Sequence, residues 1–229
     1  MILMLPLVLA FNGPAEDRVT LAYRNAEGQV QEMCKAAKVA YPPQRIYLRA
    51  FKSERVVEVW GSNGGRKPFR LLHSYAIAAA SGNLGPKLKE GDGQVPEGFY
   101  FINRFNPFSS YHLSLGLNYP NARDRKVSDP VRPGGDIFIH GNRVSIGCLA
   151  MTDPKIEEIY VLALEAKKAG QSKIPVHIFP FRPDGDWPSA SPGLTDFWKS
   201  LRPAYDRFEK TRFVPNISVA RNGAYVVQR

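Results

Sequence analysis

Asp136-Ile137-Phe138-Ile139-His140-Gly141-Asn142-Arg143-Val144-Ser145-Ile146-Gly147-Cys148-Leu149-Ala150-Met151-Thr152-Asp153 is the stretch whose reading decides the fold. Side chains alternate along a strand, so Ile137 and Ile139 share one face while Phe138 and His140 share the other. His140 therefore ends a strand, on the face opposite the two isoleucines. Gly141 lets the chain turn, and Gly147 permits close backbone approach just ahead of Cys148. A helix is expected directly afterwards. Asp153 is its predicted N-cap, Pro154 its first helical residue, and Glu157 and Glu158 suit the positive end of its dipole. That positive end and nearby N–H groups are expected to lower the Cys148 pKa toward a thiolate.

A sulfur nucleophile needs a base within hydrogen-bond reach, and the base needs a third group to orient it. His140 is the candidate base for Cys148. A backbone carbonyl near Gly141, or the Ser145 hydroxyl, can hold the imidazole. Against this stands the plain reading that a lone histidine beside a glycine is structural and a lone cysteine is buried and inert. Four histidines with one nearby cysteine give no zinc-type spacing, so neither a metal nor a cofactor is expected.

Working outward, Gly28 to Ala40 reads as a short helix with Val30, Met33, Cys34 and Ala37 on one face, ended by Pro42-Pro43. Cys34, the other of the two cysteines, is expected to fill core space, and no disulfide framework is expected. Arg45–Phe51 and Val56–Trp60 read as a hairpin, while Leu71 to Ala80 is ambiguous between strand and helix. A Gly/Pro-punctuated loop from Ser81 to Gly98 leads into a strand at Phe99, and Tyr111–Leu117, Asp136–His140 and Lys173–Phe179 are further strands. Trp198, Leu201, Tyr205 and Phe208 recur at helical spacing, with Pro203 expected to kink or split that helix. The tail from Val214 to Val227 is expected to return as a strand.

The chain has 229 residues, 44% of them hydrophobic, and a net charge of +10. That supports a real core and an acidic partner. The basic residues are scattered, with no run of five or six and no RNA-binding aromatic signature, so a nucleic-acid partner is not expected. The apolar run Met1 to Phe11 is too short for a membrane span and resembles the hydrophobic part of a secretion signal, although a basic start and an A-x-A site are missing.

The motifs Ile139-His140-Gly141 and Ser145-Ile146-Gly147-Cys148-Leu149 resemble the signature of the L,D-transpeptidase (YkuD-type) family. Gly91-Asp92-Gly93-Gln94-Val95-Pro96-Glu97-Gly98-Phe99-Tyr100 resembles its "GDGxTPEGxY" segment, with valine for threonine. Tyr111-His112-Leu113-Ser114-Leu115, Tyr119-Pro120-Asn121, Phe197-Trp198 and Tyr205-Asp206-Arg207-Phe208-Glu209 are similar to the YafK-like branch. The resemblance implies a mainly β fold with α: a β-sandwich-like catalytic domain over 44–180, an N-terminal segment over 1–43 and a C-terminal extension over 181–229.

It also implies export to the periplasm or cell envelope and peptidoglycan stem peptides as partners. Cys148 would attack the diamino acid at stem position three, forming an acyl-enzyme that an amine or water resolves. His140 would move the proton, and the Gly147 and Cys148 N–H groups would hold the oxyanion. The YafK-like branch adds release of a peptidoglycan-linked lipoprotein. The chain departs from the family pattern at Ile146, at Ala150 and in the short seven-residue spacing between His140 and Cys148. The loss of a polar group at Ala150 takes away one substrate contact, which Arg143, Tyr111 or His112 is expected to supply, with Ser145 a further substrate-binding candidate. Papain-like and NlpC-type peptidases place Cys before His in the chain, the reverse of the order here. A catalytically inactive wall-binding module is the remaining alternative.

Overall fold

The computed structural model describes residues 17–182 and 192–228, so the apolar N-terminal run lies outside the described residues. In chain order the elements are α1 (Arg18–Ala36), β1 (Arg45–Phe51), β2 (Val56–Ser62), β3 (Arg70–Ala76), β4 (Gly98–Ser109), β5 (His112–Leu117), α2 (Asp124–Val127) and β6 (Phe138–His140). There follow β7 (Leu149–Ala150), α3 (Asp153–Lys168), β8 (Ile174–Phe179), α4 (Pro192–Thr211), β9 (Ile217–Val219) and β10 (Tyr225–Val227). Over the described residues the fold combines one large sheet with four helices, the mixture of β and α that the resemblance implied.

Eight strands form one sheet in the order β3-β2-β1-β8-β4-β5-β6-β7. β1 lies near its middle and is buried on both faces, which its alternation explains. Ile46, Leu48 and Ala50 enter the core built with α1 and α3. Tyr47, Arg49 and Phe51 point the other way, where α4 covers the sheet with Phe197, Trp198, Leu201, Tyr205 and Phe208. Each fully buried side chain of Leu or Phe size is worth about 1.5–3 kcal/mol.

Arg49 would be a liability in that apolar layer if unpaired. Its guanidinium instead bonds Glu58 at 2.8 Å and Glu209 of α4 at 2.5 Å. The rings of Phe51, Trp60, Tyr205 and Phe208 surround it at 5.0 to 5.2 Å. This cluster ties α4 to the sheet.

The sheet also closes. Just beyond β3, Ala79 bridges Ala150 of β7, the strand at the opposite end of the order. The Ala78 N–H donates to the Ala150 carbonyl at 2.8 Å, and the Ala150 N–H to the Ala79 carbonyl at 3.0 Å. The outermost strands therefore meet at a seam, and the loop 81–98 starts beside the cysteine.

Several expectations need correction. The first helix begins at Arg18 rather than near Gly28, because the Asp17 carboxylate accepts from the Val19 and Thr20 N–H groups at 3.0 Å and caps it there. Gly28 sits mid-helix where a side chain would meet open space. The ambiguous segment after Arg70 is strand, since it pairs antiparallel with β2. Asp153 is not the cap of α3: Thr152 holds that position without a side-chain bond. The Asp153 carboxylate instead leaves the helix and accepts from the Asn142 N–H at 2.7 Å. Pro203 does not split α4, which runs through it. The tail forms a hairpin of two short strands. Cys34 is fully buried in the α1–α3 core, and burial pushes its thiol up to about 11.

Candidate active site

β6 places His140 in a cross-strand row. It pairs with Ser114 of β5, which pairs in turn with Asn106 of β4. Opposed residues project to the same side of a sheet, so the three share a face. On the other flank, β7 runs parallel to β6 with Leu149 beside Ile139 and Ala150 beside His140. Cys148 thus falls level with Phe138, whose alternation puts it on the His140 face. A cavity of about 460 Å³ opens there, lined by Asn106, Ser114, Phe138, His140 and Cys148 among others. Two apolar side chains stand out on its rim, Phe108 at 88% and Ile146 at 86% exposed.

His140 is itself only 2% exposed. Its Nδ1 lies 2.6 Å from the Gly141 carbonyl oxygen, and the Tyr111 ring leans on the imidazole at 4.7 Å with a 32° tilt. A carbonyl only accepts, so Nδ1 carries the hydrogen and the neutral ring keeps its lone pair on Nε2. Burial lowers the His140 pKa, and the Gly141 carbonyl opposes this. Gly141 has no room for a side chain: a Cβ would lie 2.5 Å from Asp153 Oδ1 and 2.8 Å from the Tyr111 carbonyl.

Burial pushes the Cys148 thiol up. A Phe138 backbone N–H opposes this and the Asp136 carboxylate adds to it. The expected thiolate is therefore corrected to a neutral thiol at rest, because β7, Met151 and Thr152 stand between Cys148 and the first turn of α3. The Sγ contact is with the Asp136 carbonyl at 3.7 Å, and no hydrogen bond joins Sγ to His140. Such bonds often form only with substrate in place.

The two N–H groups expected to hold an oxyanion are engaged. The Gly147 N–H donates to Ser81 Oγ at 2.6 Å, and the Cys148 N–H to Ser145 Oγ at 3.0 Å. Ser145 Oγ donates back to the Cys148 carbonyl at 2.6 Å, so it closes its own loop and does not hold the imidazole. Of the expected substrate contacts, Tyr111 and Ser145 line the cavity. His112 does not; its Nε2 meets Glu157 Oε1 of α3 at 2.7 Å. Arg143 is exposed outside the lining, because its loop turns on the bond from its N–H to Asn142 Oδ1.

Sequence reasoning missed Ser81, Asn106 and Ser114. The alternation of Tyr111–Leu115 marks Ser114 as facing opposite to Leu113 and Leu115, but only the register aligns it with His140. Among the described residues, no group of three or more His, Cys, Asp or Glu side chains is placed to hold a metal ion.

The buried histidine that ends β6 and the cysteine that heads its parallel neighbour β7 lie within a stretch that matches the YkuD family, the L,D-transpeptidase catalytic domain. That family matches residues 45–178, and the chain belongs to it. Within the family it is 40% identical over 188 residues to a protein of Escherichia coli K12 named as a candidate L,D-transpeptidase, YafK. The match covers 80% of this chain and 74% of that protein, and the O157:H7 counterpart matches equally. Among solved structures, the helical cell shape determining protein Pgp2 of Campylobacter jejuni aligns with a TM-score of 0.47 at 21% identity, over 72% of this chain. The chain spans only 56% of that Pgp2 chain. Bd1075 of Bdellovibrio bacteriovorus aligns with a TM-score of 0.42 at 23% identity, over 76% of this chain and 62% of its own.

Proposed function

We propose that Cys148 is the nucleophile of an acyl transfer on peptidoglycan stem peptides, with His140 as its base. His140 Nε2 takes the thiol proton as Sγ attacks the carbonyl at the L-centre of the diamino acid at position three. The C–N bond to the fourth residue breaks, His140 returns the proton to the departing amine, and a thioester remains. An amine or water then attacks the thioester, and the thiol is regenerated. Metal and cofactor have no part in this scheme.

The observation that carries the reading is the shared cavity: Cys148 and His140 both open on it, with Nδ1 held by Gly141 and the lone pair left on Nε2. Burial keeps both groups neutral, the state in which general-base transfer starts. With the Gly147 and Cys148 N–H groups engaged, an oxyanion role for them requires substrate to displace the Ser81 and Ser145 hydroxyls. A catalytically inactive wall-binding module has no use for an oriented imidazole beside an accessible thiol.

Amine attack gives a cross-link or attaches a lipoprotein; water gives hydrolysis, including release of a lipoprotein already attached. Either substrate places the enzyme in the cell envelope. Among the described residues, no helix is long and apolar enough to cross a membrane. Digestion of purified muropeptides, with and without attached lipoprotein peptide, read by mass, tests the reading. Dimers report transfer, and shortened or detached products report hydrolysis. The reading is abandoned if Cys148→Ala protein yields the same products as wild type.

A further inference from the structure

One row along the sheet from Asn106–Ser114–His140, on the same face, lie Arg104, Gly116 and Phe138. Gly116 leaves the middle of this row open: a Cβ there would lie 3.1 Å from Arg104 Cβ and 3.3 Å from the Phe138 ring. The Arg104 side chain crosses that gap. Its guanidinium lies 4.7 Å from the centre of the Phe138 ring, and Nη2 reaches Asp136 Oδ1 at 2.7 Å. Phe138 and Asp136 both line the cavity, and the Asp136 carbonyl is the group that touches the Cys148 sulfur.

The ion pair is open to solvent, with the Arg104 side chain 53% and the Asp136 side chain 82% exposed. A pair so exposed adds little to stability. Asp136 also holds a φ of 51°, which costs a non-glycine residue energy. Neither group is saturated. One of the five guanidinium N–H donors meets Asp136, and within the described residues Arg104 makes no other hydrogen bond; Asp136 Oδ2 likewise has no partner. Asp136 lines the cavity, and Arg104 lies just outside the lining, tied to it through Asp136 and the Phe138 ring. A cation beside an anion at the edge of a cleft complements a carbon that bears both an ammonium and a carboxylate.

We propose that Arg104 and Asp136 are specificity-determining residues that read the side-chain end of the diamino acid, Arg104 taking its carboxylate and Asp136 its ammonium. This rests on the stem-peptide reading above. It selects a diamino acid whose side chain ends in a free amino-acid centre over one ending in an ammonium alone, such as lysine. It also selects against the same centre once its carboxylate is amidated or its amine acylated.

Binding to Cys148→Ala protein separates this assignment from catalysis. Four stem peptides are compared by calorimetry: the free centre, its side-chain amide, its N-acetyl form, and lysine at position three. The free centre is expected to bind about tenfold more tightly than each of the others, the scale of one charge-assisted contact. Adding Arg104→Gln should erase discrimination against the amide. Adding Asp136→Asn, which tolerates the positive φ, should erase discrimination against the N-acetyl form. Thermal melting checks that both variants fold. Equal binding of the four peptides, or discrimination that survives in both variants, overturns the assignment. Failure of wild-type protein to turn over a peptide that binds selectively would instead overturn the proposed chemistry and leave the pair's role intact.

Discussion

The Tyr111 ring rests against the imidazole of His140, their centres 4.7 Å apart and their planes 32° from parallel. With Nδ1 tied to the Gly141 carbonyl, the imidazole is held by one hydrogen bond and one aromatic face. An aromatic contact of this kind is worth about 0.5–1.5 kcal/mol, roughly twofold to tenfold in rate if it acts through orientation. Tyr111→Ala should lower kcat within that range, while Tyr111→Phe should retain most of it. Steady-state muropeptide turnover measures both. A Phe variant as impaired as the Ala variant would shift the role to the hydroxyl.

The pH profile has a definite sign. Burial lowers the His140 pKa, so the neutral, basic form persists to pH values below the ordinary histidine range. The acid limb of kcat/KM should therefore fall below pH 6.5, the unperturbed value. Burial raises the Cys148 thiol, so iodoacetamide should modify it more slowly at pH 7.5 than a simple thiol and accelerate only above pH 9. Rapid alkylation at neutral pH would show a preformed thiolate and contradict the neutral pair.

His177 sits buried on β8, its Nδ1 2.9 Å from the Tyr47 hydroxyl oxygen, with its pKa pushed down to about 3 by burial and then by the Arg49 charge. Its folded value lies below its unfolded one, so the stability it permits is complete above pH 6.5 and is lost as pH falls toward 3. The slope approaches about 1.4 kcal/mol per pH unit in that window. Urea midpoints between pH 7 and 4 should fall accordingly in wild type, and more gently in His177→Gln.

Lys52 and Glu97 form a buried ion pair at 3.0 Å that anchors the loop 81–98. Lys52 Nζ also donates to the carbonyls of Asn83, Gly85 and Val95, and Glu97 accepts from the Gly85 N–H and the Trp198 indole. Removing one partner strands the other. Lys52→Met should cost about 3–5 kcal/mol in chemical denaturation. The double variant Lys52→Met/Glu97→Gln should recover part of that loss.

Much of this molecule was legible from its residues because the deciding signals were local. The strand formers of Arg45–Phe51 gave β1 its full extent, and His140 and Cys148 are near enough in sequence for one strand and one loop to join them. What escaped was set by partners distant in the chain. Asp153 looks like a cap until the Asn142 N–H is seen to claim it. The thiol was expected to be acidic from its nearness to a helix start, whereas burial, which no local motif reports, governs its titration. Ser81 carries no motif at all; it matters because the sheet brings it to Gly147.

The hydrogen bonds between Ala79 and Ala150 leave neither end of the sheet bare where they meet, which protects both from pairing with another molecule. They also set the thiol-bearing loop directly over a join between distant parts of the polypeptide. A substitution in β3 or in the segment just beyond it can therefore shift the sulfur by loosening that join. Screening for damaged catalysis should sample both sides of it.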